Sequence, residues 1–201
     1  MQSLYLMRDT DDAPASDAAL PIEPLMDAIK GGSSTALGQL MNLCWPELVR
    51  YAARQLHDVE LARDVAQEAF IQIWERRRTW TPRGSARAYL YRVVRHQVID
   101  EKRKLSVRRR WLERQTRVDP PRPATPAEVL DAKMLTGAFE AAVASLPERR
   151  REVFELVFQR GLTHAEAATV MGISVPTVAN QMSAALKTVR KAVVESGEAA
   201  R

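Results

Sequence analysis

The residues best suited to specific chemistry lie in the stretch 161–182, "GLTHAEAATVMGISVPTVANQM". Thr163 with Glu166 three residues later has the spacing of a helix capping box, and Ser174 can cap a second helix after a turn at Gly172. The pattern predicts two short helices that meet at a tight turn, which is a helix-turn-helix. Two helices of an ordinary bundle would share part of this pattern.

The second of these helices would present mainly polar side chains outward. Asn and Gln amides can pair with base edges, above all with adenine, and Ser and Thr hydroxyls favour phosphate oxygens. The cations that follow would contact the DNA backbone or stay solvated. The predicted DNA-binding residues of this helix are Thr177, Asn180, Gln181, Ser183, Lys187 and Arg190. Because so few of them are charged, this helix alone would bind DNA weakly.

Positive charge is concentrated elsewhere, in the middle of the chain. The sequence has 30 Lys and Arg residues against 25 Asp and Glu, a net charge of +5. Half of the basic residues lie in residues 76–117, where Asp100, Glu101 and Glu113 are the acids. An even distribution would explain the high pI without any binding role, but this concentration favours a surface that binds a polyanion.

The elements that must position these residues are predicted to be helices. Apolar residues recur at helical spacing over 25–56, interrupted at "GGSS" and at Pro46, and a stripe in residues 59–78 predicts a third helix. Ser85 is a natural N-cap for a helix from Ala86 to about Lys104. Prolines at 120, 121, 123 and 126 then mark a linker, and helical periodicity resumes near Ala127 with breaks at 146–147, Gly161 and Gly172.

The predicted fold class is all-α, with two small helical domains joined by a Pro-rich linker and a helix-turn-helix in the second domain. The predicted divisions are a disordered acidic tail at 1–21, a domain at 22–105, a basic and Pro-rich linker at 106–126, a second domain at 127–195 and a tail at 196–201.

Several functional classes are disfavoured by what the sequence lacks. A single cysteine with scattered histidines gives no metal-ligand cluster, and no nucleophile–base pair or Gly-rich phosphate loop is present. No segment has the length of a membrane span or the pattern of a signal peptide. We therefore expect a cytoplasmic protein that is not an enzyme, needs no cofactor or metal and does not insert into a membrane.

Three stretches in order carry a resemblance to a known family. "DVAQEAFIQIWERR", then "SARAYLYRVVRHQVIDEKRK", then "LPERRREVFELVFQRGLTHAEAATVMGIS" after the proline tether resemble an extracytoplasmic-function (ECF) sigma factor of bacterial RNA polymerase. The resemblance covers about residues 25–195. It implies a promoter-specificity subunit whose first domain docks on the clamp of core RNA polymerase and opens the −10 element. The second domain would bind the −35 element beside the polymerase flap.

The resemblance also implies roles for residues of the first domain. The core-polymerase-binding residues would be Asp64, Gln67, Glu68 and Gln72, although Arg63 stands where the family commonly has an acid. The residues that contact and melt the −10 DNA would be Arg77, Arg78, Trp80, Arg83, Arg87, Tyr91, Arg92, Arg95 and His96. Such a groove needs cations along phosphates and aromatic walls around bases. Trp80 and Tyr89 are equally compatible with core positions.

Two other classes of protein can carry a helix-turn-helix of this kind. A free-standing regulator with a LuxR-like recognition helix would need a receiver or ligand domain upstream, and residues 22–105 lack the alternating strands of a receiver. A recombinase would need a catalytic Ser, Tyr or carboxylate cluster, which is not found. The family resemblance further implies an anti-sigma factor as a partner.

Overall fold

The computed structural model describes residues 22–81, 84–115 and 132–199. Within these ranges the regular elements are helices: α1 (Ile22–Lys30), α2 (Ser34–Leu56), α3 (Val59–Glu75), α4 (Ala86–Gln115), α5 (Ala132–Ser145), α6 (Glu148–Phe154), a π-helical turn (Glu155–Gln159), α7 (His164–Met171) and α8 (Val175–Ala199). They form two compact units, α1–α4 and α5–α8. The predicted all-α class with two helical units is confirmed.

The first unit packs α2, α3 and α4 against one another, and α1 contacts α2 and α4. The predicted α3 stripe is buried at Val65, Ala69 and Ile73. Cys44 of α2 is also fully buried, and burial raises the pKa of its thiol to about 12, with the nearby Glu47 carboxylate adding to the rise. The thiol is therefore protonated and packs as a small apolar group.

Two predicted helix boundaries are wrong in the first unit. Helix α2 continues through Pro46, because Cys44 and Leu48 on either side are buried in the core and their packing outweighs the hydrogen bond that proline removes. Helix α4 continues beyond Lys104 to Gln115. The predicted linker at 106–126 is thus helical over 106–115, and its remainder lies outside the described residues, as does the predicted tail at 1–21.

The second unit encloses a smaller core. Phe154, Leu156 and Leu162 are fully buried, and the rings of Phe154 and Phe158 stack with centroids 4.9 Å apart. The predicted breaks at Pro147, Gly161 and Gly172 separate the helices. Helix α8 runs to Ala199, so residues 196–199 of the predicted C-terminal tail are helical.

A π-helical turn leads from α6 towards the helix-turn-helix. The Arg160 backbone N–H donates to the Glu155 carbonyl at 2.9 Å, and the Leu162 N–H donates to the Leu156 carbonyl at 3.0 Å. The Glu155 and Arg160 side chains form an almost fully buried ion pair at 2.8 Å. The turn therefore has both backbone and charge contacts that fix its shape.

Candidate functional site

A polar face of α3 brings together the residues predicted to bind a protein partner. Asp64, Gln67 and Glu68 are exposed on it, and the half-buried Gln72 accepts a hydrogen bond from Gln97 of α4 at 3.5 Å between Oε1 and Nε2. Residues three and four apart share one side of a helix, so these groups form a continuous surface. Gln72 lies at the edge where α3 meets α4.

An apolar residue lies within this polar face. Ile71 is 43% exposed and follows Gln67 and Glu68 by one helical turn. Arg63, which stands near the start of the same helix, forms a 2.7 Å ion pair with Glu60. The surface thus combines acids, amides and one aliphatic side chain, a composition suited to a basic partner. The sequence analysis did not single out Ile71, since it belongs to neither the buried stripe nor the predicted polar residues of this helix.

The start of α4 is fixed by two caps. The Ser85 hydroxyl accepts from the Ala88 N–H at 3.1 Å, as predicted, and the Glu23 carboxylate of α1 accepts from the Ala86 N–H at 3.3 Å. Both contacts satisfy N–H groups that a helix start leaves without partners. Glu23 was not predicted, because it lies 63 residues away in the sequence. Together these caps set the direction in which the α4 side chains project.

A basic face with aromatic neighbours follows on α4. Arg92 and Arg95 are half-buried and His96 is exposed. The Arg92 guanidinium carbon lies 5.5 Å from the centre of the Tyr89 ring, and the Tyr89 ring lies 5.8 Å from that of Trp80. Arg92, Arg95 and His96 thus lie together on one side of α4, and Leu90, Val93, Val94 and Val98 are buried on the other.

The charges on this face affect each other. Although much of the His96 side chain is accessible, the partial burial of its ring lowers its pKa below the usual value, and Arg92 and Arg95 lower the pKa further. Arg76 also lowers the pKa of His96, whereas Asp100 raises it. The imidazole is therefore neutral at neutral pH and can either donate or accept a hydrogen bond. Arg76, which was not among the predicted residues, belongs to this cationic cluster.

Tyr91 and Arg87 do not lie where the sequence interpretation placed them. Tyr91 is 0% exposed, and its ring meets that of Tyr51 edge-on at 5.3 Å, so the predicted surface position is wrong. Arg87 forms a 3.2 Å ion pair with Glu47 of α2 and joins two helices of the core. Both residues sit on the side of α4 that faces α2, because helical rotation turns them away from Arg92.

Arg77 and Trp80 are also engaged within the protein. The Arg77 guanidinium lies 4.1 Å from the centre of the Trp74 ring and donates to the Trp74 carbonyl at 2.6 Å. Trp80 is 8% exposed, which favours the core interpretation over a base contact in this conformation. Arg78 is exposed, and Arg83 lies outside the described residues.

The helix-turn-helix has the predicted caps. Thr163 and Glu166 form the full capping box, and Gly172 takes the left-handed conformation with φ 65°. The Ser174 hydroxyl accepts from the Thr177 N–H at 3.2 Å and pairs with the Thr177 hydroxyl at 2.7 Å. These contacts define the turn and the start of α8.

Most of the predicted DNA-binding residues of α8 are exposed on it: Thr177, Asn180, Ser183, Lys187 and Arg190. Gln181 differs, because it is half-buried and its Oε1 accepts a hydrogen bond from the Arg150 Nε of α6 at 3.2 Å. Val178 and Met182 face the core. The helix can therefore offer hydroxyl and amide groups to a groove while its apolar side anchors it.

The described ranges contain neither a metal site nor a membrane-spanning helix. No three His, Cys, Asp or Glu side chains there lie in an arrangement that could hold a metal ion. In the same part of the chain, no helix combines the length and apolar character required to cross a membrane.

Comparison with known proteins matches both units. Residues 40–108 match the family described as Sigma-70 region 2, and residues 136–189 match Sigma-70, region 4. The ECF RNA polymerase sigma factor SigL of Mycobacterium tuberculosis is 32% identical over 175 residues, which cover 83% of this chain and 96% of SigL. The chain belongs to the ECF sigma factor family. The sigma factor SigC of the same organism is 29% identical over 86% of this chain and 91% of SigC.

Solved structures agree on the fold of this ECF sigma factor. CnrH, solved in complex with the cytosolic domain of CnrY, has a TM-score of 0.60 at 23% identity and covers 84% of this chain and 94% of its own. The sigma factor RpoE of Bartonella quintana, solved with the anti-sigma factor NepR, has a TM-score of 0.59 at 21% identity over 78% of this chain and 95% of its own.

The family match locates the surfaces within the sigma factor. The α3 polar face and the α4 basic face both fall inside the region 2 match, and α8 up to Val189 falls inside the region 4 match. The protein is an alternative sigma factor, and the LuxR-like alternative is not favoured because it does not account for region 2. Helix α1, with the Glu23 cap, lies before the region 2 match.

Proposed function

We propose that this ECF sigma factor binds core RNA polymerase in the cytoplasm, directs it to specific promoters and opens the −10 element, leaving catalysis to the polymerase. The observation that carries the proposal is the presence in one chain of a basic, aromatic-flanked helix face and a separate, weakly charged helix-turn-helix. The first suits strand opening and the second suits sequence recognition.

The α3 face would provide the contact with the polymerase clamp. Asp64 and Glu68 are exposed acids, Gln67 can donate and accept hydrogen bonds, and Ile71 offers apolar area at the centre. An interface generally draws its affinity from a buried apolar anchor and its orientation from surrounding charges. Gln72 would act at the margin, since Gln97 already holds its carbonyl oxygen.

The α4 face would provide the contact with the −10 strands. Arg92, Arg95 and His96 share one side of the helix with Arg76 nearby, which gives phosphates several partners. Tyr89 is half-buried beneath Arg92, so a flipped base could reach its ring edge. Arg78, which follows α3 and is exposed, would take part in the same contact. Arg83, which the sequence analysis predicted for this contact, would take part as well.

Helix α8 would recognise the −35 element. Asn180 and Gln181 carry amides that pair with base edges, and Thr177 and Ser183 carry hydroxyls for phosphates or bases. Lys187 and Arg190 lie about three and four turns into the helix, where they would contact the phosphate backbone. We propose that the same unit also contacts the flap of core RNA polymerase.

An anti-sigma factor is the second protein partner that we propose. The structure of the Bartonella RpoE was solved with its anti-sigma factor, and that of CnrH with the cytosolic domain of CnrY. Since this chain shares their fold, we infer that it binds an anti-sigma factor, which would hold it inactive.

Run-off transcription with core polymerase and this chain tests the proposal. Replacing Asp64 and Glu68 with Ala should weaken binding to core by roughly tenfold, because two charges of the docking face are lost. The variant should fold normally, since both side chains are exposed. Affinity for core is measured by titration of labelled sigma factor.

The matched control replaces two exposed acids elsewhere, Asp27 of α1 and Glu140 of α5, with Ala. This control changes the net charge by the same amount as the replacement of Asp64 and Glu68, and it should bind core polymerase as tightly as the unmodified chain does. Equal affinity of both double variants would remove the α3 face from the proposal. No binding of the unmodified chain to core would overturn the sigma-factor function itself.

A further inference from the structure

Gln181 is held by a neighbouring helix before any DNA is bound. Its Oε1 accepts a hydrogen bond from the Arg150 Nε at 3.2 Å, and this contact joins α6 to α8 across 31 residues of sequence. Both side chains are half-buried, so their contact is partly protected from water. Gln181 is therefore not a freely rotating amide on the surface of α8.

The identity of Arg150 determines which way the amide faces. An arginine guanidinium carries hydrogen-bond donors and no acceptor. The group that faces Arg150 must therefore be the amide oxygen of Gln181, and the NH2 group is left for other partners. This assignment follows from the chemistry of the pair and does not depend on distinguishing oxygen from nitrogen in the amide.

A glutamine usually recognises adenine through both amide atoms at once. The NH2 group donates to adenine N7 while the oxygen accepts from adenine N6, so both atoms must lie in the plane of the base. The Gln181 oxygen keeps a second lone pair, but Arg150 fixes its position against α6. Guanine is different, because its N7 and O6 are both acceptors and need only the NH2 group.

We propose that Arg150 is a positioning residue that restricts Gln181 to donating hydrogen bonds, so that α8 selects guanine over adenine at one base pair of the −35 element. This inference rests on the proposed function of α8 and deepens it. It assigns the specificity at that base pair to two residues on different helices. The recognition helix alone would indicate adenine.

Selection from a promoter library tests the proposal. Core polymerase with the full-length chain is incubated with duplexes randomised across the −35 element, and the bound fraction is sequenced. The unmodified chain should enrich guanine at one base pair. Arg150→Ala releases the amide and should shift the guanine-to-adenine ratio at that pair by about tenfold towards adenine, leaving the other positions unchanged.

Arg149→Ala is the matched control, because Arg149 is the adjacent and exposed arginine of the same helix. It removes the same charge and should keep the guanine preference. Thermal unfolding followed by circular dichroism establishes that both variants are folded. The same base ratios in the Arg150→Ala and Arg149→Ala selections would overturn the proposal.

Gln181→Glu gives a second test that does not depend on the stability of Arg150→Ala. The carboxylate still accepts from Arg150 but has no N–H to donate, so the guanine preference should disappear at that base pair alone. A retained guanine preference would overturn the proposal. Enrichment of adenine by the unmodified chain would overturn only the role of Arg150, whereas no −35 selection at all would overturn the proposed function as well.

Discussion

Arg87 and Arg92 lie five positions apart on α4, and their surroundings differ. The Arg87 side chain is 26% exposed and pairs with Glu47, whose side chain is 16% exposed. Arg92 lies over the Tyr89 ring on the side that carries His96. A cation that neutralises a half-buried acid stabilises the fold, whereas one beside an aromatic ring on an accessible face can bind phosphate.

Replacing Arg87 with Ala should lower the free energy of unfolding by about 1–3 kcal/mol, because Glu47 would be left half-buried without its charged partner. Chemical denaturation of the full chain measures the change. Arg78→Ala serves as the comparison, since Arg78 is exposed and its removal should change stability by less than about 0.5 kcal/mol. A stable Arg87→Ala protein with weakened DNA binding would instead support the original sequence interpretation.

His96 should make stability depend on pH. Its pKa is lowered in the folded protein by burial and by Arg92 and Arg95, whereas the unfolded chain titrates near its ordinary value of about 6.5. Above that value both states are neutral at this residue. As the pH falls through it, the unfolded state takes up the proton first, and the free energy of unfolding decreases until the folded state is also protonated.

The measurement compares unfolding of the unmodified chain and His96→Gln between pH 8 and pH 5, taken as about 1.5 units either side of the ordinary pKa. Other groups titrate alike in both proteins, so the difference between the two free energies isolates His96. That difference should be constant at high pH. As the solution becomes acidic, the free energy of unfolding of the unmodified chain should decrease relative to that of His96→Gln. Parallel curves over the whole range would contradict the prediction.

At the scale of elements, the turn between α7 and α8 determines how the recognition helix is presented. The Thr163–Glu166 capping box fixes the start of α7, and Gly172 ends it in the left-handed conformation. Ser174 then starts α8. No atom lies within 4 Å of a Cβ placed on Gly172, so there is space for a side chain and the backbone conformation alone selects glycine.

Gly172→Ala should therefore lower the free energy of unfolding by about 1–2 kcal/mol, the usual cost of the left-handed conformation for an ordinary residue. Gly172→Asn is the matched variant, and it should cost less because asparagine tolerates that conformation. Both are measured by chemical denaturation. A loss of stability that grew with side-chain size, larger for Asn than for Ala, would show that space and not backbone conformation limits the site.

The helix-turn-helix could be predicted from sequence because its signals are local. Each cap acts within three residues, so the capping roles of Thr163, Glu166 and Ser174 can be predicted from the local sequence without tertiary information. The path of α2 through Pro46 could not be predicted, since it depends on packing against other helices. The same holds for Tyr91 and Gln181, whose partners Tyr51 and Arg150 are distant in sequence.

The extension of α4 to Gln115 has a related explanation. Residues 102–111 are strongly basic, and the sequence interpretation assigned most of them to a linker because this basic patch leads into the prolines at 120–126. Lys and Arg are nevertheless good helix formers. Within the extension, the Arg110 guanidinium donates to the Ser106 carbonyl and to the Ser106 hydroxyl, each at 3.3 Å, and so connects adjacent turns of the helix. Local helix propensity thus continues the helix where no core requires it.

At the scale of the whole molecule, affinity and sequence recognition are assigned to different units. The segment rich in positive charge belongs to the first unit, whereas α8 carries mainly amides and hydroxyls in the second. Most of the phosphate contacts should therefore come from α4 and from the polymerase. The helix-turn-helix can then discriminate between promoters without binding DNA tightly by itself.

Replacing Arg92 and Arg95 with Ala should reduce promoter opening more than −35 binding, because both side chains lie on the face assigned to the −10 strands. Permanganate reactivity of unpaired thymines measures opening, and protection of the −35 element from nuclease measures binding. The comparison variant, Lys187→Ala with Arg190→Ala, should show the reverse order. Equal losses of opening and binding in both double variants would contradict the division between the two units.

The thirty-residue α4 also determines where the chain leaves the first unit. At about 1.5 Å per residue, the ten positions from Ser106 to Gln115 carry the exit point roughly 15 Å along the helix axis. Each residue also turns the exit by about 100°. Inserting one residue in this extension would therefore redirect the departing chain to another side of the helix, whereas seven, close to two full turns, would nearly restore its direction. The side of the helix from which the chain departs at Gln115 is thus set by helical phase.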